Sequence, residues 1–340
     1  MKCPSFADSF DVLCLQAGDD GRADVLFGES VVRARCAMHP FMVGSKFPSV
    51  YLEFPLIGEP FLDVTVLYGK LDEGTRIDSP AANGTESMLD WFTGVCTQYS
   101  DISCGFELDT GRGDCAQAAV HFQPRSHIEL VTPFCEAVGE PRRAKLYLDL
   151  AKRMPEGWPL SFFGLFRGRP ASPLRVCGYL SQDEKNACAG DPNHLREAFD
   201  EIGFSAYDDG MLAQVSQLMG ITPGQVDFQF DIFDDGSLGT TFAIDAQFAI
   251  EQPEAVLESF SDGGGAQVMK LLESWCIADD RWKHGAQAAF ARAIPAERDD
   301  GSLGRFSFTL MPHWVKARWK DTVLQPSKLY LFGNVGFLDS

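Results

Sequence analysis

Strict alternation of polar and apolar residues is the feature of this sequence that most constrains its fold. Gln225–Phe233 alternates acidic or amide residues with large apolar ones, and Thr240–Ile250 does the same. Period-two alternation is typical of a β-strand with one packed face and one polar face. The two segments are joined by Asp234–Gly239, which has a turn composition, and together they predict a β-hairpin.

Similar alternation predicts further strands along the chain, with helical patterns between them. The other predicted strands are Val50–Phe54, Phe61–Tyr68, Ile102–Asp109, Cys115–Gln123, Leu174–Leu180, Arg305–Leu310, Trp314–Lys320 and Lys328–Phe332. The predicted helices are Thr85–Cys96, Pro192–Gly203, Met211–Met219, Pro253–Phe260 and Ala266–Trp275. Hairpins separated by helices favour the α+β class.

The N-terminal part reads as β-rich. We predict short strands at Asp11–Gln16 and Ala23–Phe27, on either side of the turn composition Gly18–Gly21. With the hairpin of Val50–Phe54 and Phe61–Tyr68, this makes residues 1–70 a β-rich portion, and 85–335 a series of helix–hairpin units. The length is compatible with one large domain spanning 1–340, which is the organisation we expect.

One four-residue motif occurs twice. Lys145-Leu146-Tyr147-Leu148, within Ala144–Leu150, returns as Lys328-Leu329-Tyr330-Leu331. Both copies alternate in the manner of a strand, so each is expected to direct its lysine and its tyrosine to the same polar face. Two strands of this kind suggest a shared polar interior.

A second repeat concerns turns. Asp234-Asp235-Gly236-Ser237-Leu238-Gly239 recurs unchanged as Asp299-Asp300-Gly301-Ser302-Leu303-Gly304, 65 positions later. A predicted strand follows each copy, and helical patterns lie between them. The matched placement favours repeated helix–hairpin units.

Two architectures explain strands with one polar and one apolar face. In an open sheet the polar face meets water, whereas in a closed barrel wrapped by helices it lines a lumen. Tyrosines recur on the polar faces, although solvent offers them little reason to be there. Basic residues gather on the same faces in a chain with a formal net charge of -19. These features favour an antiparallel barrel with a polar lumen, ringed by helices.

The bulk composition excludes several function classes. A net charge of -19 argues against binding nucleic acid or anionic membranes, since both need a basic surface. The ten cysteines include no C-x-x-C pair, and the six histidines include no H-x-x-x-H pair, so no metal site is predicted. No apolar run reaches membrane-spanning length, and residues 1–10 lack the layout of a signal peptide. We therefore expect a cytoplasmic protein with reduced thiols.

This combination resembles the ABBA prenyltransferases, whose PT-barrel is built from repeated α-β-β-α units with strands inside and helices outside. The resemblance is carried by the Lys-x-Tyr motifs and by the basic and aromatic strands Leu174–Leu180 and Trp314–Lys320. It implies transfer of a prenyl group from an allylic diphosphate to an aromatic or peptide acceptor. In size the chain is similar to bacterial members that modify indoles, phenols or ribosomal peptides.

The resemblance also assigns roles to residues. Ionisation of an allylic diphosphate separates a carbocation from an anionic leaving group, which fixed cations stabilise best where water is excluded. The candidates for binding the diphosphate are Lys145, Arg175, Lys316, Arg318 and Lys328. Aromatic faces stabilise the carbocation by about 0.5–2 kcal/mol each and provide no strong nucleophile to trap it. The candidates for this shield are Tyr147, Tyr179, Tyr330 and Trp314.

The acceptor must lose a proton, which requires a carboxylate base. Glu107, Glu53 and Asp231 are the candidates, with Asp245 as a further possibility. No D-D-x-x-D magnesium motif is present, although Mg²⁺ is compatible with a diphosphate donor.

Two alternatives stay open from the sequence. One is a non-catalytic barrel that binds an anionic small molecule or peptide, and the other is a scaffold or partner protein whose polar sheet face meets solvent.

Overall fold

The structure, a computed structural model, describes residues 2–43, 48–79, 82, 84–110, 117–169, 171–298 and 300–338. In this part the strands are β1 (Ser49–Pro55), β2 (Asp63–Tyr68), β3 (Ser103–Leu108), β4 (Ala119–Gln123), β5 (Leu160–Leu165), β6 (Leu174–Tyr179), β7 (Val226–Ile232), β8 (Leu238–Gln247), β9 (Phe290–Glu297), β10 (Leu303–Lys320) and β11 (Val323–Phe337).

The α-helices of the same part of the chain are α1 (Phe6–Ala17), α2 (Arg22–Leu26), α3 (Ser30–Met38), α4 (Glu86–Val95), α5 (Val131–Ala137), α6 (Pro141–Ala151), α7 (Gln182–Gly190), α8 (Pro192–Ile202), α9 (Asp209–Ile221), α10 (Val256–Ser261), α11 (Gly264–Ser274) and α12 (Arg281–Gln287). No helix of the described ranges is both long enough and apolar enough to cross a membrane.

Ten strands form a closed antiparallel β-barrel. The order runs from β1 to β8 and continues through β10 and β11, and β11 then pairs with β1. In the closing pair, Val50 lies opposite Gly333 and Pro55 lies opposite Lys328. The predicted barrel is therefore confirmed. The open sheet, with its polar face in solvent, is wrong because neither β1 nor β11 is left as an edge.

Strand β10 belongs to two structures at once. Its second half, Trp314–Lys320, pairs with β8 in the barrel wall. Its first half, Leu303–Leu310, pairs with β9, and the end of β11 pairs with it on the other side. The result is a three-stranded extension beyond one end of the barrel. The sequence predicted two separate strands here, but one continuous strand is present.

The outward faces of the barrel strands pack against helices through aromatic side chains. Phe163 of β5 contacts Phe134 of α5 at a ring-centroid distance of 5.5 Å. Three strands further round the barrel, Phe199 of α8 contacts Phe242 of β8 at 4.9 Å. Most phenylalanines of the described residues belong to the buried core, because burying large apolar area is the main driving force for folding.

Ala144–Leu150 is the clearest error of the sequence interpretation: it belongs to helix α6, not to a strand. Pro141 occupies the first turn of this helix, where its missing N–H costs nothing. The segment contains no β-branched residue and consists largely of good helix formers. Its buried residues Ala144, Tyr147 and Leu150 follow helical spacing, which outweighs the apparent alternation.

The N-terminal strands are also wrong, because Asp11–Gln16 lies in α1 and Ala23–Phe27 begins within α2. Ser5 caps α1: its hydroxyl accepts from the Asp8 amide, and the Asp8 carboxylate accepts from the Ser5 amide. The portion 1–70 is therefore helical before β1, and the hairpin of β1 and β2 is confirmed.

The duplicated hexapeptide forms the same turn twice. Asp235 Oδ1 accepts from the Ser237 amide at 2.9 Å, and Asp300 Oδ1 accepts from the Ser302 amide at 2.9 Å. Gly236 and Gly301 have φ of 83° and 80°, a left-handed conformation that glycine adopts at no steric cost. Asp299 and the first two residues of the predicted strand Cys115–Gln123 lie outside the described residues.

Candidate functional site

The lumen of the barrel contains two joined cavities. The first, here called the charged compartment, has a volume of about 280 Å³ and is lined by charged side chains that include Glu53, Asp63, Asp109, Arg169, Asp231, Arg318 and Lys328. The second, the aromatic compartment, has a volume of about 210 Å³ and is lined by Tyr51, Phe162, Phe166, Tyr179, His313 and Trp314, among others. Both are lined by Glu107, Arg175, Gln229, Lys316 and Tyr330.

Strand alternation explains how the side chains reach the lumen. On β10, Trp314, Lys316 and Arg318 occupy every second position and therefore point to the same face. They lead from the aromatic compartment, through the shared region, into the charged compartment. A third cavity of about 460 Å³ continues from Arg318 past Thr240 and Lys320, at the end of the barrel where β7 turns into β8.

Lys328 is the centre of one ion-pair group in the charged compartment. Its ammonium hydrogen-bonds to the carboxylate of Glu53 and, at 2.9 Å, to Asp63 Oδ2. Burial favours the neutral form of Glu53, but the charges of Lys328 and Lys316 outweigh this and keep its pKa below the usual value. Glu53 is consequently a carboxylate stabilised by cations and a weak proton acceptor.

Arginines satisfy the other carboxylates of this compartment. Arg169 donates to Glu107 Oε1 at 2.8 Å and to both oxygens of Asp109 at 2.7 Å. Arg175 donates to Asp231 Oδ1 at 2.9 Å and Oδ2 at 3.2 Å, a bidentate pair. These pairs fix the geometry of the lumen wall.

Glu107 lies where the two compartments meet. Burial alone would raise its pKa, but His121 Nε2 at 2.9 Å and the charge of Arg169 hold the pKa well below its usual range. Like Glu53, it is ionised at neutral pH and already engaged by partners.

Arg318 differs from the other lumen cations. Within the described residues it has no carboxylate partner, and burial together with the charge of Arg175 lowers its pKa. Arginine stays protonated at neutral pH even so. Its guanidinium is therefore a cation available to an anion that enters through the third cavity, at the end of the barrel where β7 turns into β8.

The charge balance corrects one expectation. In the described part of the chain, five cationic and five carboxylate side chains line the charged compartment, so it has no net positive charge. The basic residues on the polar strand faces, taken alone, predicted a cationic lumen. The acids of neighbouring strands face the same interior and neutralise them.

The aromatic compartment is built on stacked rings. Tyr51 of β1 stacks on His313 with a ring-centroid distance of 6.0 Å and lies 4.6 Å from Trp314. Trp314 in turn lies 5.3 Å from Tyr330. The Lys316 ammonium lies 4.9 Å above the Tyr330 ring, so aromatic and cationic groups meet at the junction of the compartments.

Several polar atoms of the aromatic compartment have no hydrogen-bond partner. Within the described residues these buried atoms are Asp227 Oδ1, Asp245 Oδ1, His313 Nδ1 and Trp314 Nε1. Burial raises the pKa of Asp227 to about 7 and that of Asp245 to about 6. A nearby negative charge raises each pKa further: Asp245 acts on Asp227, and Glu53 acts on Asp245. Burial also lowers the pKa of His313 to about 4, so its ring is neutral at pH 7.

The structure places most of the predicted site residues in the lumen. They are Glu53, Glu107, Asp231, Arg175, Lys316, Arg318, Lys328, Tyr179, Tyr330 and Trp314. Tyr179 is 39% exposed, which puts it at the rim of the aromatic compartment. Their proposed roles are a separate matter from this placement.

Lys145 and Tyr147 are not in the lumen. The Lys145 side chain is 82% exposed on the outer face of α6, where it pairs with Asp149 at 2.5 Å. Tyr147 is buried between α6 and the barrel wall, with its ring 4.9 Å from that of Phe163. Their assignment to diphosphate binding and to the carbocation shield is therefore wrong, because the helix directs them away from the lumen.

Sequence reasoning missed some residues that line the lumen. Asp63, Asp109 and Asp227 each lie on or beside a predicted strand, and the signal for them was the same alternation that selected their basic neighbours. Arg169 follows β5 in a connecting segment, where no alternation pattern marks it as a lumen residue. Its return to the lumen depends on the tertiary fold.

One cluster of potential metal ligands lies outside the lumen. Glu184 and Cys188 of α7 and His194 of α8 have ligand atoms within 4.8 Å of one another. Glu184 Oε1 lies 2.8 Å from His194 Nε2 and accepts from Trp158 Nε1 at 2.7 Å. Hydrogen bonds centred on Glu184 account for this grouping.

Comparison with known proteins gives a likeness in fold. No family model matches the chain, and no curated protein matches its sequence. The crystal structure of 5-dimethylallyltryptophan synthase from Streptomyces coelicolor matches with a TM-score of 0.51 and 11% identity, over 96% of this chain and 97% of that one.

Two further solved structures match. The same synthase in complex with DMASPP and Trp has a TM-score of 0.48 and 12% identity, over 97% of this chain and 95% of that one. PriB, in its binary complex with product diphosphate, has a TM-score of 0.49 and 10% identity, over 97% and 96%. The match with a TM-score of 0.51, together with the closed barrel, shows that the chain has the fold of the PT-barrel prenyltransferases, as the sequence predicted.

Proposed function

We propose that this chain transfers a prenyl group from an allylic diphosphate to an aromatic acceptor, presented free or as a peptide side chain. The observation that carries the proposal is the arrangement of the lumen. A compartment with Arg169, Arg175, Arg318 and Lys328 opens directly into one lined by aromatic rings, both within the barrel lumen. The fold shared with 5-dimethylallyltryptophan synthase supports the same chemistry.

The diphosphate is assigned to the charged compartment, with Arg318 as its first contact because this cation has no carboxylate partner in the described part of the chain. When the C–O bond of the donor breaks, the leaving diphosphate keeps the electron pair. Its negative charge is stabilised by the cations of the same compartment, which are Arg175, Lys316 and Lys328. The allylic cation is left facing Tyr330 and Trp314, whose rings stabilise positive charge.

Attack by a ring carbon of the acceptor forms the new C–C bond, and a base then removes the ring proton. We assign this step to Asp245. It lines the aromatic compartment beside the junction, where its Oδ1 has no hydrogen bond and lies 3.6 Å from Lys316 Nζ. Its pKa of about 6 suits a general base. Glu107 is the second choice, since its present partners lower its basicity. Glu53 and Asp231 are bound to Lys328 and Arg175 in the same way.

The first experiment is calorimetry of the protein with dimethylallyl and geranyl diphosphates, each with and without Mg²⁺. The proposal expects at least one of them to bind. It also expects Arg318→Gln to weaken binding by about tenfold or more, because a charge-assisted hydrogen bond to the diphosphate is lost. This variant is informative because no buried carboxylate loses its partner.

Lys145→Gln on the outer face of α6 is the matched control, because it also removes one positive charge but leaves the lumen intact. It should bind the donor as the wild type does. Absence of binding to both diphosphates under all conditions would remove the basis for prenyl transfer.

The equal numbers of acids and bases in the charged compartment support a second candidate, a non-catalytic barrel that binds a small molecule. In that case a diphosphate or another anion would bind in calorimetry without release of inorganic diphosphate in the presence of any aromatic acceptor.

A further inference from the structure

The aromatic compartment contains a carboxyl group whose bonding is incomplete. Asp227 of β7 lines this compartment, and its Oδ1 is buried with no hydrogen-bond partner. Its Oδ2 accepts a long bond, 3.3 Å, from Gln247 Nε2, and the neutral Gln225 side chain is its other hydrogen-bonding neighbour. A buried carboxyl without full hydrogen bonding is costly, and native structures usually provide a partner.

The position of Asp227 makes this deficiency larger. In the register of β7 and β8, Asp227 lies directly opposite Asp245, so two carboxyls face each other across neighbouring strands. Like charges in this arrangement repel each other. Lys316, at 3.6 Å, and Gln229, at 2.5 Å, serve Asp245. The two carboxyls of Asp227 and Asp245 therefore share one nearby cation, Lys316, which pairs with Asp245. Within the described residues, Asp227 is the carboxyl that has no cation of its own.

The groups around Asp227 do not supply that charge. Facing it are Asp245 and Gln247 of β8, Tyr179 and Cys177 of β6, Gln225 before β7, Tyr51 of β1, His313 of β10 and Arg125 after β4. His313 is neutral at pH 7, and burial keeps the Cys177 thiol protonated. Arg125 lines the rim, and in the described part of the chain no ion pair joins it to Asp227.

The surrounding rings favour a cation at this place. Tyr51, Trp314 and Tyr179 line the same compartment, and the faces of tyrosine and tryptophan attract positive charge. Trp314 Nε1 is itself a buried donor without a partner, so the cavity also lacks an acceptor. The occupant that pairs with Asp227 carries a protonated nitrogen, and the surrounding rings favour an aromatic molecule small enough for about 210 Å³.

We infer that the aromatic compartment binds an arylalkylamine, with the Asp227 carboxylate as the counter-ion of its protonated nitrogen. The inference names the acceptor of the transfer proposed above, and it rests on that function only for the ligand's role as acceptor. Binding itself requires no donor and no turnover.

Calorimetry with paired probes tests the site. Tryptamine is compared with 3-methylindole, and tyramine with 4-ethylphenol, so that each pair shares a ring and differs in the ammonium group. At least one amine should bind about tenfold or more tightly than its neutral partner. Equal affinity within both pairs, or no binding of either amine, would overturn the inference.

Variants of Asp227 assign the effect to this residue. Asp227→Asn should remove the preference for the amine while leaving the affinity for the neutral probe unchanged, and Asp227→Glu should restore the preference. Asp149→Asn on the outer face of α6 is the matched control and should retain it. A preference that persists in Asp227→Asn would place the amine elsewhere and refute the assignment.

The pH dependence gives an independent readout. Since the proton on Asp227 competes with the amine, amine affinity should rise between about pH 5.5 and about pH 8.5 in the wild type and stay flat in Asp227→Asn. Flat binding in both proteins would contradict a carboxylate counter-ion.

The two proposals fail in different ways. An amine that binds through Asp227 but is never prenylated would contradict the transferase and leave the binding site standing. Prenylation of neutral aromatics by a protein that ignores the amines would contradict only the inference.

Discussion

The charged and aromatic compartments share one barrel wall, but their polar groups are treated in opposite ways. In the charged compartment Lys328, Arg169 and Arg175 are each matched by carboxylates at hydrogen-bond distance. In the aromatic compartment the carboxyls of Asp227 and Asp245 each retain a buried oxygen without a hydrogen bond. The difference indicates that the first compartment is held in shape by its own ion pairs, whereas the second is completed by a ligand.

Removing the proposed base is expected to have the largest effect. Asp245→Asn should lower the rate of prenyl transfer by about 10²–10⁴-fold, because general base catalysis contributes on this scale. Donor binding should persist, since Arg318 and Lys328 are unchanged. Single-turnover transfer assays and donor calorimetry measure the two effects separately.

Glu107→Gln is the comparison variant for that experiment. If Asp245→Asn transfers the prenyl group at the wild-type rate and Glu107→Gln does not, Glu107 is the base. That result would weaken the contrast between the compartments.

Breaking the ion pairs of the charged compartment should lower the free energy of unfolding. Lys328→Met leaves Glu53 and Asp63 without their shared cation, and breaking a buried pair in this way costs about 3–5 kcal/mol in the free energy of unfolding. Denaturant titration measures the loss. The triple variant that also carries Glu53→Gln and Asp63→Asn should recover much of it. A Lys328→Met protein as stable as the wild type would mean that the ion pairs do not hold the wall.

Removal of the Asp227 carboxyl should have the opposite effect on stability at high pH: the free energy of unfolding should rise. Because the folded pKa of Asp227 is raised from 3.8 to about 7, its contribution to stability is present at low pH and is lost as pH rises between these values. Asp227→Asn carries no charge at either pH and therefore avoids this loss. The change that it causes in the free energy of unfolding should be about 1–3 kcal/mol more stabilising at pH 8.5 than at pH 4. Thermal unfolding at both pH values tests the difference, and an equal effect at both would contradict the assigned pKa.

The outer face of α6 provides the reference with the smallest expected effect. Lys145→Ala breaks an exposed pair with Asp149 and should leave the free energy of unfolding nearly unchanged, because solvent screens exposed ion pairs. Donor binding and transfer should match the wild type. A large loss of activity in this variant would contradict the placement of Lys145 outside the lumen.

The two copies of Lys-Leu-Tyr-Leu explain why part of the fold was predictable and part was not. The copy at 328 forms a strand in β11, and the copy at 145 forms a helix in α6, although the four residues are identical. Local alternation cannot distinguish them. The neighbouring Pro141 and the helical spacing of Ala144, Tyr147 and Leu150 decide the second case.

Alternation did predict the barrel strands with a polar interior, because a closed sheet forces every second residue inward. Hence Arg175, Lys316, Arg318, Lys328 and Tyr330 were selected correctly as lumen residues. Which of the inward carboxyls is paired depends on strands far apart in sequence. Asp227 and Asp231 are both acidic and both point inward on β7, but Arg175 is bound to Asp231 alone.

The closure of the barrel by β1 and β11 has a consequence for folding. Glu53 and Lys328, which meet in that seam, are separated by 275 positions in the chain. A contact of such long range brings a high entropic cost before it gives any stability, so the seam is expected to form late. Until β11 has been synthesised and has docked, β1 presents an unpaired edge with Val50, Leu52 and Phe54 beside it. Folding intermediates that lack β11 should therefore be the species most prone to aggregate through strand pairing.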